Sequence, residues 1–550
     1  MSRRDTPSVV SPETAGMARG SVINLVAMAS GAALTLALTV LVSRWLQPAG
    51  AGALFELIAL FTIASQTLEL GADTGLMRWI SRARAVGGLD QVRRLVPIAL
   101  LPVAAAGVAA AAAIWVVAPE LAHIFLHGLP RSQAAVDIRI VAPLVPLGAL
   151  SACLVDGARG FGRRWPYLAI NGLGMPVARI VFVLVALLAG LGLYGTVVAW
   201  GIPVAAGLAA SAAIFAVIVR SEVPARPARR GRERGNSLHH WWRSVSGWPV
   251  RATRRSPGRH RATRVPANER NQRLGAEFWR FTAPRACQGI FQVTIIWLNI
   301  LLVGALMSRH AAGIFAAVSK LALVGVFALE GTRLAISPQV SAFLARREPI
   351  RAAALYQDAT RWLTLATWPL YLVFAIFPTV VLGIFGPRYT PGAAALAVLS
   401  LAMLANTGTG NVTVVLLMGG KSSWGAINSG AALAVNISLN LLLIPHLGIL
   451  GAAIAFGASI VVDNVAAMVE LRWVFGMVPF GSGYVLAAAV PVGCFGAVGL
   501  VVRALLGESL PALAVTLAIG IAGYAVALYA ARAPLGLAGM AAAFRPRALA

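Results

Sequence analysis

The sequence predicts an all-α integral membrane protein of about fourteen transmembrane helices, arranged as two parallel six-helix bundles with two helices added at the C-terminal end. Three observations carry this. The composition is 59% hydrophobic and 12% charged over 550 residues, with a mean hydropathy of +0.79, outside the balance of soluble domains. Apolar runs of roughly 20 residues recur, long enough to cross a hydrocarbon layer of about 30 Å as helices. The third is internal: the chain repeats itself.

The expected spans, in order, cover 20–43, 50–70, 95–118, 136–158, 167–189 and 193–219, then 286–307, 311–335, 361–385, 391–418, 424–444 and 448–471, and finally 483–506 and 510–531. The polar opening MSRRDTPSVVSPETAGMARG precedes a full-length span and is not expected to act as a signal peptide. A net charge of +27 would suggest nucleic acid for a soluble protein, but topology accounts for it here, and no nucleic-acid partner is expected. With the first residue inside, roughly 36 of the basic residues fall in cytoplasmic segments and about six outside, as the positive-inside rule demands. Both termini are therefore expected in the cytoplasm. Cys153, Cys287 and Cys494 form no spacing motif, and the histidines are scattered. Neither disulfide, metal nor cofactor is expected. VLLMGGKSS, around Lys421, lacks the first glycine of a phosphate loop, with Val415 in its place, and is expected to be a turn.

The repeat is read from colinear matches. AGALFELIALF, from Ala51, aligns with AGIFAAVSKLAL, from Ala312, at a shift of 261, pairing Gly52 with Gly313. GLGLYGTVVAWG aligns with HLGILGAAIAFG at a shift of 256, pairing Gly192 with Gly448, Gly195 with Gly451 and Gly201 with Gly457. Six crossings return the chain to its starting side, so two such units share one orientation, an architecture used by transporters. The expected organisation is a cytoplasmic tail over 1–19, a first bundle over 20–219, a basic linker over 220–280, a second bundle over 281–475, two further helices over 476–532 and a tail over 533–550. The linker holds sixteen arginines and four acids, with Trp241, Trp242 and Trp248 among them. It reads as a solvated connector or as a segment that holds anionic lipid headgroups.

Asn436 and Asn440, followed by LLLIPHLGILGAAIA, resemble the second-bundle signature of polysaccharide transporters in the multidrug/oligosaccharidyl-lipid/polysaccharide (MOP) exporter superfamily. RWLQPAGAGALFELIALF and LELGADTGLMRWISR resemble the opening helices of the same proteins, and the likeness covers about residues 20–475. The resemblance implies a MOP flippase-like fold with a V-shaped central cavity, lined chiefly by helices 1, 2, 7 and 8, that opens alternately to each side. It also implies a transporter rather than an enzyme, in a bacterial cytoplasmic membrane. The implied substrate is a lipid-linked oligosaccharide on polyprenyl pyrophosphate, with membrane lipids and polysaccharide assembly enzymes as partners.

Candidate site residues follow from polar groups inside spans, which lipid penalises. Arg285, Gln288, Gln292 and Asn299 fall within about 60° of arc at 100° per residue. The stripe faces either a wet cavity or hydrogen-bonding partners on neighbouring helices. On the corresponding face of helix 1 lie Asn24 and Thr35. Arg179, Arg285, Lys320 and Arg333 are cations within spans, and each costs about 2.5–3.5 kcal/mol to place centrally. A pyrophosphate would offset that cost through charge-assisted bonds, which nominates Arg285 and Lys320, with Arg179, as headgroup ligands. Arg333 is expected to pair with Glu330 or to snorkel to the interface. Asp156 with Arg159, and Asp463 and Glu470, read as structural pairs or anchors. Glu56 is expected to face Lys320 across the cavity and to couple transport to an ion gradient by taking up a proton, unless it simply reaches water at the interface. Asn436 and Asn440 should bond to neighbouring helices or touch substrate, Pro445 to Gly448 should form a tight turn, and Gly448 with Gly451 should allow close packing.

Three function classes remain: a flippase for lipid-linked oligosaccharide, a cation-coupled exporter of small amphiphiles on the same scaffold, and a membrane glycosyltransferase or polymerase. The longest expected external loop, 119–135, is short for the catalytic loop of a polymerase. Buried cations favour an anionic headgroup over a cationic drug.

Overall fold

The computed structural model describes residues 12–85, 89–126, 128–163, 165–223, 267–419 and 422–535, and the side chains of 12–29, 90, 267–271, 284, 338 and 422 are not described. Most of the basic linker, Lys421 and the side chain of Asn24 thus lie outside the described residues. Among the described residues every regular element is helical, and twelve helices are long and apolar enough to cross a membrane.

The first of these, within Pro12–Leu68, is two helices. Gln47 takes φ 57°, ψ 176°, and Pro48 behind it bars the helical conformation at residue 47. Thr35 and Leu38 then line the same cavity as Ile58 and Thr62, so the chain doubles back at Gln47. We label these helices α1 (12–46) and α2 (48–68). The eleven others are α3 Val92–Phe125, α4 Arg131–Gly160, α5 Trp165–Leu188, α6 Gly192–Glu222, α7 Ala267–Leu306, α8 Arg309–Ala345, α10 Pro387–Met418, α11 Ser422–Leu447, α12 Ile449–Phe475, α13 Tyr484–Leu506 and α14 Leu510–Ala530; Pro349–Ile376, outside those twelve, is α9. The Ala72–Ala85 helix follows α2 after a break at Leu70 (φ 51°) and Gly71 (φ 74°). α9, though charged at Arg351, Asp358 and Arg361, is 28 residues long, enough to span.

Within the first half, α4 and α5 both pack on α6; within the second, α11 packs on α12 and α9 on α10. The halves meet through α2 against α8, and one hydrophobic core runs through both. The contact is reciprocal. A Cβ on Gly52 would overlap the carbonyl oxygen of Arg309, and one on Gly313 would overlap that of Pro48. Residues 48 and 309, like 52 and 313, are separated by the repeat shift of 261, so each half presents the same patch to the other, as in a two-fold interface. This clasp lies where α7 ends and α8 begins; the opposite end of α7, at Ala267, is the linker end.

The second repeat match has a backbone cause. Gly192 opens α6 at φ 61° and Gly448 precedes α12 at φ 59°, a left-handed conformation that favours glycine. The expected turn over Pro445 to Gly448 is shorter than foreseen. Pro445 lies within the last turn of α11 and Gly448 alone breaks the helix. Gly451 permits close approach, since a Cβ there would sit 2.5 Å from the Leu443 carbonyl oxygen. α13 packs along α9 and α14 against α13; the Tyr524 hydroxyl of α14 donates to the Leu365 carbonyl of α9 at 2.7 Å, and Glu508, between α13 and α14, accepts from the Thr379 backbone N–H just past α9 at 2.6 Å.

Candidate functional site in the central cavity

A cavity of about 350 Å³ opens among α1, α2, α4, α5 and α6, and residues of α7 and α8 from the other half complete its wall. That volume falls in the range of small-molecule sites. α2 contributes Phe55, Ile58, Thr62, Ser65, Gln66 and Glu69, the three- and four-residue steps of one helical face.

Two local irregularities shape the wall. α5 begins with a π-helical turn over Leu168–Gly174, relieved at Pro176, which lacks the N–H that would continue the ladder. That turn carries Asn171 to the cavity, with Pro176 and Arg179 following on the same helix. In α8 the chain tightens into a 3-10 turn over Leu323–Gly325, three residues after Lys320. The Tyr371 hydroxyl, donating 2.8 Å to the Ala322 carbonyl, pins that turn from α9. α8 is buried from Ala311 to Ser319, and Lys320 emerges from this packed stretch into the cavity.

The two cations share an arrangement. The Arg179 guanidinium lies over the Trp200 ring at 4.4 Å, and the Lys320 ammonium over the Trp297 ring at 3.8 Å. Each gains a cation–π attraction. Among the described residues neither forms an ion pair with a carboxylate, and Arg179 Nε has no hydrogen-bond partner. The rest of the polar wall is made of neutral groups and the Glu69 carboxyl. The Thr35, Thr39 and Thr62 hydroxyls donate to carbonyls of their own helix at 2.7–2.8 Å, which leaves oxygen lone pairs free to accept. Such an arrangement can bind an anion with hydroxyl-bearing substituents.

The polar stripe of α7 faces elsewhere. Asn299 is fully buried, and its Oδ1 accepts from Asn440 Nδ2 at 2.8 Å and Asn436 Nδ2 at 3.2 Å. Asn436 also reaches Ser459 of α12 at 3.4 Å. Gln288 lies on α11, where a Cβ on Gly425 would be 2.8 Å from its Nε2. Gln292 is exposed. Arg285 sits toward the linker end, 5.3 Å from the Phe281 ring that Arg78 covers at 3.7 Å, and its charge and that of Asp73 act on one another. None of these four lines the cavity. The α7 residue that does is Trp297, at least 120° around the helix from the stripe at about 100° per residue. Of the other sequence candidates, Thr35, Arg179 and Lys320 are in the wall.

Glu56 does not face Lys320. It lies about 120° around α2 from the cavity face, 1% exposed, with both carboxylate oxygens lacking a hydrogen-bond partner. A Cβ on Gly304 of α7 would overlap its Oε1, and the charge of Arg309 acts on it. The repeat shift aligns Ala59 with Lys320, but alignment of two positions does not make them neighbours. Arg333 does pair with Glu330, at 2.5 Å, and Arg159 with Asp156, at 2.7 Å. Glu470 accepts from Asn428 at 2.8 Å, and Asp463 from Ser429 at 3.4 Å.

Sequence reasoning missed Trp200 and Trp297. Each looks like ordinary core in an apolar run; the available signal was that three of the four intraspan cations, Arg179, Arg285 and Lys320, have no acid within a helical turn in the sequence and therefore need another partner.

No family model matches the chain, and no curated protein matches it in sequence. Solved structures do match in fold. The lipid II flippase MurJ, in an inward closed conformation, superposes with a TM-score of 0.64 at 11% identity, over 92% of this chain and 98% of that one. A Vibrio cholerae MATE transporter gives 0.56 at 15% identity, over 84% and 98%. A MOP superfamily transporter from Pyrococcus furiosus, for which the reverse polarity of its binding pocket suggests a different function, gives 0.56 at 14%, over 83% and 95%. The chain therefore has the multi-pass helical fold of the MOP flippases and MATE transporters.

Proposed function

We propose that the protein is a flippase that moves a lipid-linked oligosaccharide, carried on polyprenyl pyrophosphate, across the cytoplasmic membrane of a bacterium for surface polysaccharide assembly. The observation that supports this is the pair of cations, Arg179 and Lys320, in one cavity and, among the described residues, without an ion-pairing carboxylate. Each costs about 2.5–3.5 kcal/mol to keep at membrane depth. A fixed structural role would pair them with acids; a polyanion that comes and goes requires them unpaired. The guanidinium and the ammonium give such a group a planar donor fork and a point charge. The two bundles, hinged about the Gly52–Gly313 clasp, would open the cavity to each side in turn, with the termini and linker in the cytoplasm and assembly enzymes supplying and consuming the substrate. No step requires a metal, a cofactor or covalent chemistry.

The second reading is a cation-coupled exporter of small amphiphiles. The MATE transporters among the structural neighbours and the two tryptophan faces in the cavity support it. Deleting the gene separates the two. A flippase predicts lipid-linked oligosaccharide accumulating on the cytoplasmic leaflet, restored by the wild-type chain and not by one carrying both Arg179→Gln and Lys320→Gln. Normal surface glycan combined with drug sensitivity would overturn it in favour of the exporter.

A further inference from the structure

Trp200 and Trp297 do more in this site than support two cations. Trp200 is held rigidly: Phe61 meets its ring edge-on at 5.1 Å and 83°, and the residue is 3% exposed. Trp297 packs against the core that both halves share. In each case the cation lies over the ring face. A charge-assisted bond to phosphate is stronger than a cation–π contact, so an arriving pyrophosphate draws Arg179 and Lys320 off the rings. Two flat apolar faces are then uncovered next to the phosphate, close to the hydroxyls of Thr62 and Ser65 and the amides of Gln66 and Asn171. A pyranose ring matches that surface, because it has an apolar face of C–H groups and a rim of hydroxyls.

We propose that Trp297 and Trp200 recognise the sugar attached to the pyrophosphate, each ring face exchanging its cation for the apolar face of that sugar. Arg179 and Lys320 hold the phosphate, and the tryptophans decide whether the phosphate bears a glycan. Rigid aromatic faces suit this because stacking on them orders few rotors. The inference rests on the pyrophosphate-linked substrate proposed above.

The test uses the full chain in lipid nanodiscs and two probes: polyprenyl pyrophosphate, and the same lipid bearing one sugar. The wild type should bind the sugar-bearing lipid more tightly. Trp297→Leu should shrink that preference about fivefold, the scale of an aromatic contact, while affinity for the sugar-free lipid holds or rises because Lys320 no longer has to leave a ring. Trp297→Phe keeps a ring face and should retain most of the preference, and Trp200→Leu should act in the same direction as Trp297→Leu. An unchanged preference in both leucine variants, with both lipids still bound, overturns the sugar assignment alone. A wild type that binds neither lipid overturns the flippase reading together with it.

Discussion

The central cavity and the asparagine network of α7, α11 and α12 use the same material, polar side chains in apolar helices, and treat it in opposite ways. Asn299, Asn436 and Asn440 are fully buried and bond to one another. Their amide N–H groups find acceptors within the network, while Asn440 Oδ1 has no partner among the described residues, and we propose a structural role for the three. Arg179 and Lys320 face an open volume, lie over tryptophan rings and, among the described residues, form no ion pair with a carboxylate. Polarity within a membrane helix thus says that a residue avoids lipid; whether its partner is built in or arrives from outside is what separates scaffold from site. Glu56 is a third case, unpartnered yet outside the cavity.

The largest expected effect comes from breaking the cavity side. Arg179→Gln with Lys320→Gln removes two charge-assisted contacts of about 1.5–3 kcal/mol each, and reconstituted flipping should fall by at least about tenfold while the protein stays folded. Retained flipping would put the site elsewhere. On the network side, Asn299→Ala strips the acceptor from two buried amides. It should cost about 1 kcal/mol of stability, near the range measured for membrane hydrogen bonds, as a lowered melting temperature in detergent, with flipping intact in the folded fraction. A flipping defect without a stability loss would move the network from scaffold to site. The smallest effect is expected at Glu56. Glu56→Gln keeps the shape beside Gly304 and should leave flipping within about twofold, as for a substitution away from the working site. A tenfold loss, or loss of the pH dependence of transport, would instead make Glu56 the coupling group.

Much of the fold was legible in the sequence. The run lengths gave the spans, and the repeat matches gave pairs that the structure explains: Gly52 and Gly313 touch across the clasp, while Gly192 and Gly448 both hold a positive φ at the same rank. The Gln47–Pro48 step also shows why one long apolar segment is two helices. The site was less legible. The periodicity of Arg285, Gln288, Gln292 and Asn299 fixes one face of one helix, but which neighbour meets that face depends on how α7 is rotated against α11 and α8, and a single chain does not encode that locally. The same rotation places Glu56 against Gly304 rather than Lys320, and it turns Trp297, indistinguishable from core in the sequence, into a wall of the cavity.

The most direct test of the central claim is thermal stabilisation of the purified protein by polyprenyl pyrophosphate. A ligand bound only by the folded state at 100 times its dissociation constant adds about 2.7 kcal/mol. The account predicts a clear rise in melting temperature for the wild type, and none for the variant carrying Arg179→Gln and Lys320→Gln. Equal stabilisation of both proteins would contradict it.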